Sequence, residues 1–189
     1  MKGRKRILVI TGVPGTGKTS FSNSLARKLR DAEVIHVTEV VDRKRLFSSR
    51  LKDGTKIADM ARLRSELERM ISRSAKSIII LEGHLLCDIR IKRASALVLR
   101  EHLGVLVERM KKRRYPISKI KANVVSEATD YCGVRAERNY LNVFEAFSGD
   151  KKLAGYASKL LSGQKPNGKP IDLLPELDFF LRKRRELVI

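Results

Sequence analysis

The chain has 189 residues and is 42% hydrophobic, which is enough to bury a core and excludes a wholly disordered polymer. Domains most often run ~100–150 residues and reach ~250, so a single domain accounts for the length. Lysine and arginine number 41 against 21 aspartate and glutamate, a net charge of +20; such a one-signed excess points to a polyanionic partner, RNA or an acidic protein surface, whereas heat adaptation enriches both signs.

The basic start, Met1 to Arg6, leads into a short apolar run broken by Gly12, too short for a signal peptide. No stretch approaches the ~20 apolar residues of a membrane span. Two cysteines, Cys87 and Cys132, offer no pairing framework and suit a reducing compartment. The expectation is a soluble cytoplasmic protein, a monomer, with no membrane partner.

In chain order, Ile7-Leu8-Val9-Ile10 reads as a buried parallel strand. Gly12 to Gly17 is a loop, and Phe21, Leu25 and Leu29 recur at helical spacing, predicting a helix over 18–30. Val34 to Val37 is a second strand, completing a βαβ unit. Residues 38–76 read as charged and helical without a strong strand, with Met60, Leu63, Leu67, Met70 and Ile71 on one face. Ser77 to Leu81 and Ala96 to Leu99 are further buried strands, and Leu103, Leu106, Val107 and Met110 line the next helix.

Ile117, Ile120, Val124, Ala128 and Tyr131 are spaced for one long helix. Leu141 to Glu145 is a last strand, followed by a helix through Leu153, Tyr156, Ala157, Leu160 and Leu161. Gly163 reads as its C-cap. Residues 165–170 are a Pro/Gly linker, and Leu174, Leu177, Phe180 and Leu181 mark a short amphipathic helix ending in basic residues 182–185. Strands alternating with helices imply an α/β fold, a roughly five-stranded parallel sheet flanked by helices.

Gly12-Val13-Pro14-Gly15-Thr16-Gly17-Lys18-Thr19 satisfies G-x-x-x-x-G-K-[ST] in full, after a buried strand and at the opening of a helix. Its glycines let successive backbone N–H groups turn around a phosphate, and the helix start favours the anion. Residues 12–20, through Ser20, are therefore assigned to a nucleoside triphosphate, with Lys18 on the β/γ-phosphates and Thr19 on Mg²⁺.

A P-loop protein also places a carboxylate by the metal at the end of a neighbouring strand. Glu82 ends the strand that begins at Ser77, and is either that ligand or a solvated strand-end group. His84, two residues on, would face the same way if the strand continued, as a functional side chain or a local hydrogen-bonding one. His36 and His102 read as structural. Arg109 and Arg113 lie four apart on a helix and so share a face, either a lid over the phosphates or a basic solvent face.

Together the loop, Glu82-Gly83-His84-Leu85-Leu86-Cys87-Asp88 and Glu108-Arg109-x-x-x-Arg113-Arg114-Tyr115 resemble the adenylate-kinase-like ATPases of the coilin-interacting nuclear ATPase type (adenylate kinase isoenzyme 6), in an archaeal form. The resemblance covers residues 6–162 and implies a nucleoside-monophosphate-kinase fold over 1–163. It further implies a monophosphate-binding arm at about 38–76 and a short lid at about 111–122, leaving 164–189 as linker and basic C-terminal helix.

For function, it implies Mg²⁺-dependent adenylate kinase activity on ATP and AMP with ATPase activity. Members act in small ribosomal subunit maturation and rRNA processing, with a small-subunit ribosomal protein and rRNA as partners. Lys18, Glu82, His84, Arg109 and Arg113 would be the catalytic set, the arginines on the transferring phosphate, with Thr19 and Glu82 on the metal. Many members carry Asp at the Glu82 position, and 38–50 matches only loosely, with Arg43 and Arg62 as candidates for the monophosphate. The rival reading is a nucleotide-switched ribosome or RNA assembly factor whose kinase activity is incidental. Aromatic residues, 5% of the chain, are not interleaved with the basic runs, so RNA contact would be mainly to phosphates.

Overall fold

A computed structural model describes residues 5–50 and 56–183. Its centre is a five-stranded, all-parallel sheet in the order β2-β5-β1-β6-β7. The strands are β1 (Arg6–Thr11), β2 (Ala32–His36), β5 (Ile78–Glu82), β6 (Ala94–Arg100) and β7 (Val143–Phe147). Parallel strands buried on both faces need apolar side chains along most of their length, and β1, β5 and β6 supply them, with polar residues mainly at the strand ends. Alternation divides them between two layers. Ile7, Val9, Ile79, Leu81, Ala96 and Val98 pack against one helical layer; Leu8, Ile10, Ile78, Ile80, Leu97 and Leu99 pack against the other. The second layer is built by α1 (Lys18–Lys28) and α7 (Leu153–Leu161), through Leu25, Ala157 and Leu160.

The first layer holds α2 (Val37–Arg43), α3 (Met60–Arg73), α4 (Leu103–Lys112), α5 (Ile117–Ala128) and α6 (Tyr131–Asn139). Val37 opens α2 and does not end β2. Between α2 and α3 lies an antiparallel hairpin, β3 (Phe47–Arg50) with β4 (Lys56–Ala58). The reading of 38–76 as helical without a strong strand omitted it, because these strands are short, mostly polar and little buried.

The single long helix expected after Ile117 is two. Asp130 adopts a left-handed conformation (φ 52°) and caps α6 by accepting from Gly133 N–H. What breaks the helix also serves Arg100. That arginine is 1% exposed and meets Glu127 Oε1 at 3.1 Å, Asp130 Oδ1 at 2.6 Å and Glu145 Oε2 at 2.6 Å. It joins the end of β6 to α5, α6 and β7.

Burial pushes the Glu145 carboxyl up to about 7, against the pull of Arg100, and raises Glu127 in the same direction. A carboxyl raised on folding stabilises fully below its unfolded value, and that contribution fades as pH rises through the folded one. Glu145→Gln is therefore expected to hold its melting temperature better than the parent between pH 5 and 8, a differential on the order of 1–3 kcal/mol. His84 acts with the opposite sign at the acid end of this range, so the readout is the difference between the two melting curves. Parallel curves would remove Glu145 from the account.

Residues after Gly163, which closes α7 with φ 81°, return to the body. Leu173 is buried, and Leu177 and Phe180 of α8 (Leu174–Lys183) pack on the first layer. Leu174 is exposed; the side chain of Leu181 and residues 184–185 lie outside the described residues, as do Met1 to Arg4. Glu176 accepts from Leu103 N–H at 2.9 Å and meets His102 Nδ1 at 2.5 Å, capping the start of α4. His102 stacks on Phe147, ring centroids 4.4 Å apart. Among the described residues no helix is long and apolar enough to cross a membrane.

Candidate active site

The chain leaves β1 and returns by way of α1 to β2 on one side, then crosses from β5 over β1 to β6 on the other. Ligands in open parallel sheets bind beyond the strand ends at such a switch, and here the loop 12–17 follows β1. Gly12 (φ 134°) is required twice over, since a Cβ there would also collide with the Leu99 carbonyl oxygen. Gly15 (φ 97°) leaves room for Leu106, whose Cδ1 would lie 2.8 Å from an added Cβ.

Inside the loop, Thr16 N–H and Thr16 Oγ1 both approach the Val13 carbonyl, at 3.4 and 3.1 Å. Lys18 Nζ donates to the same oxygen at 2.9 Å. Lys18 is 6% exposed, and burial lowers its pKa against the raising effect of Glu82. An ammonium recessed in a glycine-rich loop at the start of a helix is the arrangement that takes a phosphate chain.

A cleft of about 640 Å³ opens from this loop. Pro14, Gly15, Gly17, Lys18, Thr19 and Ser20 form its floor. Glu82, Gly83, His84 and Leu85 form the wall at the end of β5. Thr38, Val41, Asp42, Lys56 and Ala58 come from α2 and the hairpin, and Arg113, Tyr115, Lys119 and Asn123 from the turn and helix after α4. The cleft thus brings together the loop, Glu82, His84 and Arg113.

Glu82 closes β5 beside His36, its register partner on β2. His36 Nδ1 lies 2.8 Å from Glu82 Oε2, with the ring N–H donating. His36 was read as structural; the structure makes it the orienter of the strand-end carboxylate. Each is the polar residue ending an apolar strand, but only the sheet order makes them neighbours.

The strand does not continue to His84. Gly83 ends it, and His84–Asp88 form a 3₁₀ turn. That turn is pinned by Tyr140 Oη, whose one proton is shared between the carbonyls of Leu86 (2.8 Å) and Ile89 (2.5 Å). Asn139 Nδ2 adds a bond to the Cys87 carbonyl at 2.8 Å. Crowding by protein, and next the Lys18 ammonium, push the His84 imidazole down to about 4. The residue keeps solvent contact at the cleft mouth, which moderates the effect, but its direction keeps the ring neutral at pH 7.

The two arginines part company. Arg113 is the C-cap of α4, still bonded through its N–H to the Arg109 carbonyl, and lines the cleft. Arg109 does not line it: Nη1 donates to Gly15 O at 3.0 Å and meets Glu101 Oε2 at 2.6 Å. Four-residue spacing puts both on one face of the helix but does not say which neighbour each long side chain reaches. Nor do Arg43 and Arg62 reach the cleft. Arg43 faces a separate groove between α2 and α3, and Arg62 the outer surface beside Leu46 and Ser65. The cleft is lined also by Thr38 and Asp42 of α2, Lys56 of the hairpin and Lys119 of α5; none carried a sequence signal, and Lys56 sits on a hairpin that was not foreseen.

Thr19 and Glu82 offer one hydroxyl and one carboxylate to the same cleft. Such hard oxygen donors suit Mg²⁺, which keeps waters and takes phosphate oxygens to complete six-coordination. Among the described residues no three His, Cys, Asp or Glu side chains gather as a self-contained metal cage.

Fold and cleft define a P-loop enzyme of the nucleoside-monophosphate-kinase class. A family model described as "AAA domain" matches residues 8–130. A Methanosarcina barkeri protein named "Putative adenylate kinase" is 36% identical over 152 residues, covering 78% of this chain and 79% of its own. A protein of the same name from Methanosarcina acetivorans is 34% identical, with 66% and 67% covered. The chain belongs to the AAA-domain family of P-loop proteins and is a relative of these archaeal members. In shape it is similar to shikimate kinase from Bacteroides thetaiotaomicron (TM-score 0.54, 18% identity, 83% of this chain and 96% of that one). It is similar too to TT1252 from Thermus thermophilus (TM-score 0.55, 18% identity, 85% and 98%). At that identity the likeness concerns the fold alone.

Proposed function

We propose that the protein is an adenylate kinase that transfers the terminal phosphoryl group of ATP to AMP, giving two ADP, with slow transfer to water. The observation that carries this reading is a cleft of about 640 Å³ that the phosphate loop shares with Thr38, Asp42 and Lys56 from α2 and the hairpin and with Lys119 from α5. That arrangement offers a donor and an acceptor in one enclosure. The relatives' name supplies the acceptor, AMP.

In this reading the loop amides and Lys18 hold the β- and γ-phosphates, and Thr19 with Glu82 would hold Mg²⁺. Bound there, the metal supplies neutralisation of phosphate charge. His36 fixes one oxygen of Glu82, whose side chain lines the cleft. Arg113 neutralises charge on the phosphoryl group in transit, and Arg109 acts on the loop through the Gly15 carbonyl. No covalent intermediate is required, because positioning and electrostatics supply the rate.

Purified protein with Mg-ATP, with and without AMP, scored for ADP and free phosphate, tests the proposal. AMP-dependent ADP is expected, with free phosphate much slower; no product above the level of a Lys18→Ala control would end it. His84 is assigned to orienting water, since its neutral ring faces the cleft at neutral pH. His84→Ala should keep AMP phosphorylation within about threefold while hydrolysis falls about tenfold or more. Equal loss of both activities would place His84 in the shared chemistry.

A second reading is favoured by one observation, the net charge of +20, which a metabolic kinase does not need. There the nucleotide state switches the grip on a small-subunit ribosomal protein or rRNA. ATP affinity and hydrolysis measured with and without those partners decide it; indifference to every one of them counts against a switch.

A further inference from the structure

Glu101, just past β6, lies outside the cleft and is 5% exposed. Its Oε2 accepts from Arg109 Nη1 at 2.6 Å and from Ser148 Oγ at 2.5 Å. Its Oε1 accepts from His102 N–H at 3.2 Å, and its own N–H donates to Glu127 Oε1 at 2.8 Å. The carboxylate is thus fixed from several sides before it meets Arg109. Arg109 in turn donates to the Gly15 carbonyl at 3.0 Å.

From this chain of contacts we infer that Glu101 is a positioning residue of the phosphate cradle, acting through Arg109. The inference rests on the reading that residues 12–20 hold the donor triphosphate. Gly15 C=O and Thr16 N–H belong to one planar trans peptide and point in opposite directions. A guanidinium that holds the carbonyl outward therefore turns Thr16 N–H inward, where it faces the Val13 carbonyl beside Lys18 Nζ. Arg109 is 40% exposed at its side chain and has many rotamers to choose from. The buried carboxylate selects the one that reaches Gly15, through a charge-assisted hydrogen bond.

Ser148 extends the same control to the loop after β7. An added Cβ at Gly17 would lie 3.6 Å from Ser148 Cβ and 3.9 Å from Arg109 Nη1, so both partners of Glu101 border the loop at Gly17. A salt bridge serving stability alone would not need to end on a P-loop carbonyl.

Glu101→Gln keeps the size of the side chain and its ability to accept from Ser148, and removes the charge that holds Arg109. The expected result is a rise of about tenfold in KM for MgATP, with KM for AMP unchanged and kcat within about threefold. Glu101→Asp, one methylene shorter but charged, should recover part of the loss. Arg109→Ala, at a half-exposed position that the fold tolerates, should raise KM for MgATP by a similar factor, and the double variant should rise no further. Direct MgATP binding separates the two levels of the argument. If the parent protein fails to bind MgATP, the reading of the loop falls. If it binds, but Glu101→Gln shows a lowered melting temperature with KM for MgATP unchanged, the positioning role falls. Unchanged KM in Arg109→Ala, or additive effects in the double variant, would overturn it as well.

Discussion

Lys18→Ala is expected to lower both AMP phosphorylation and ATP hydrolysis by about 10²–10³-fold while leaving the protein folded. The size follows from what the ammonium faces. Lys18 Nζ sits 2.9 Å from the Val13 carbonyl, in a loop whose amide of Thr16 turns the same way. A charge fixed in advance, with little water around it, acts on a phosphate without reorganisation, and removing one such donor typically costs 10²–10³ in rate. The fold should not suffer, because burial already works against this charge and lowers its pKa. Removing a desolvated ammonium gives back that cost. The measurements are ADP and phosphate release under saturating Mg-ATP, with a melting curve beside them. Activity within tenfold of the parent would show that the loop's phosphate contact lies with the amides alone.

How much of this was legible beforehand depended on the range of the interactions involved. The stretch from Ile7 to Thr19 could be read directly, since a continuous apolar strand, three constrained glycines and a Lys-Thr pair are all local. Glu82 was legible for the same reason, as a polar residue ending an apolar strand. The hairpin was not: Phe47-Ser48-Ser49-Arg50 and Lys56-Ile57-Ala58 have too few apolar positions to show period two, and their pairing is non-local. The break at Asp130 was hidden because the hydrophobic spacing of α5 runs on through Tyr131, while the residue that stops the helix does so with a left-handed backbone paired to Arg100.

Partnerships across the sheet were beyond any local pattern. His36 meets Glu82 because β2 and β5 are neighbours with those residues in register. Glu176 reaches Leu103 and His102 because the tail doubles back. Arg109 and Arg113 look equivalent in sequence, yet Arg109 is held by Gly15 O and Glu101 while Arg113, one turn on, lines the cleft. Helical spacing fixes the face of a side chain, not the tertiary partner that a long one finds.

The largest effect on stability is expected at Arg100, the last residue of β6, which lies just beyond the strand legible in the sequence, Ala96 to Leu99. Arg100→Met should cost about 3–5 kcal/mol, because it leaves Glu127, Asp130 and Glu145 without their shared cation. For a chain of this length that is a fall in melting temperature of roughly 6–20 °C. Arg100 also donates to the Glu127 backbone carbonyl at 2.7 Å, so the loss is one of geometry as well as charge. Arg100→Lys should recover only part of it, since one ammonium cannot reach three carboxylates in a planar fork.

The sign of the pH dependence identifies the cause. Burial already raises Glu145 to about 7 and moves Glu127 upward in spite of Arg100. Without the arginine both must rise further, so the Arg100→Met deficit should shrink as pH falls from 8 toward 5 and the carboxyls take up protons. A deficit independent of pH would mean that Arg100 is held by packing and not by charge. Function should follow stability here by a traceable route, because Glu127 Oε1 receives the Glu101 N–H at 2.8 Å. A loosened Arg100 cluster would release Glu101, and with it the arginine that holds the back of the phosphate loop.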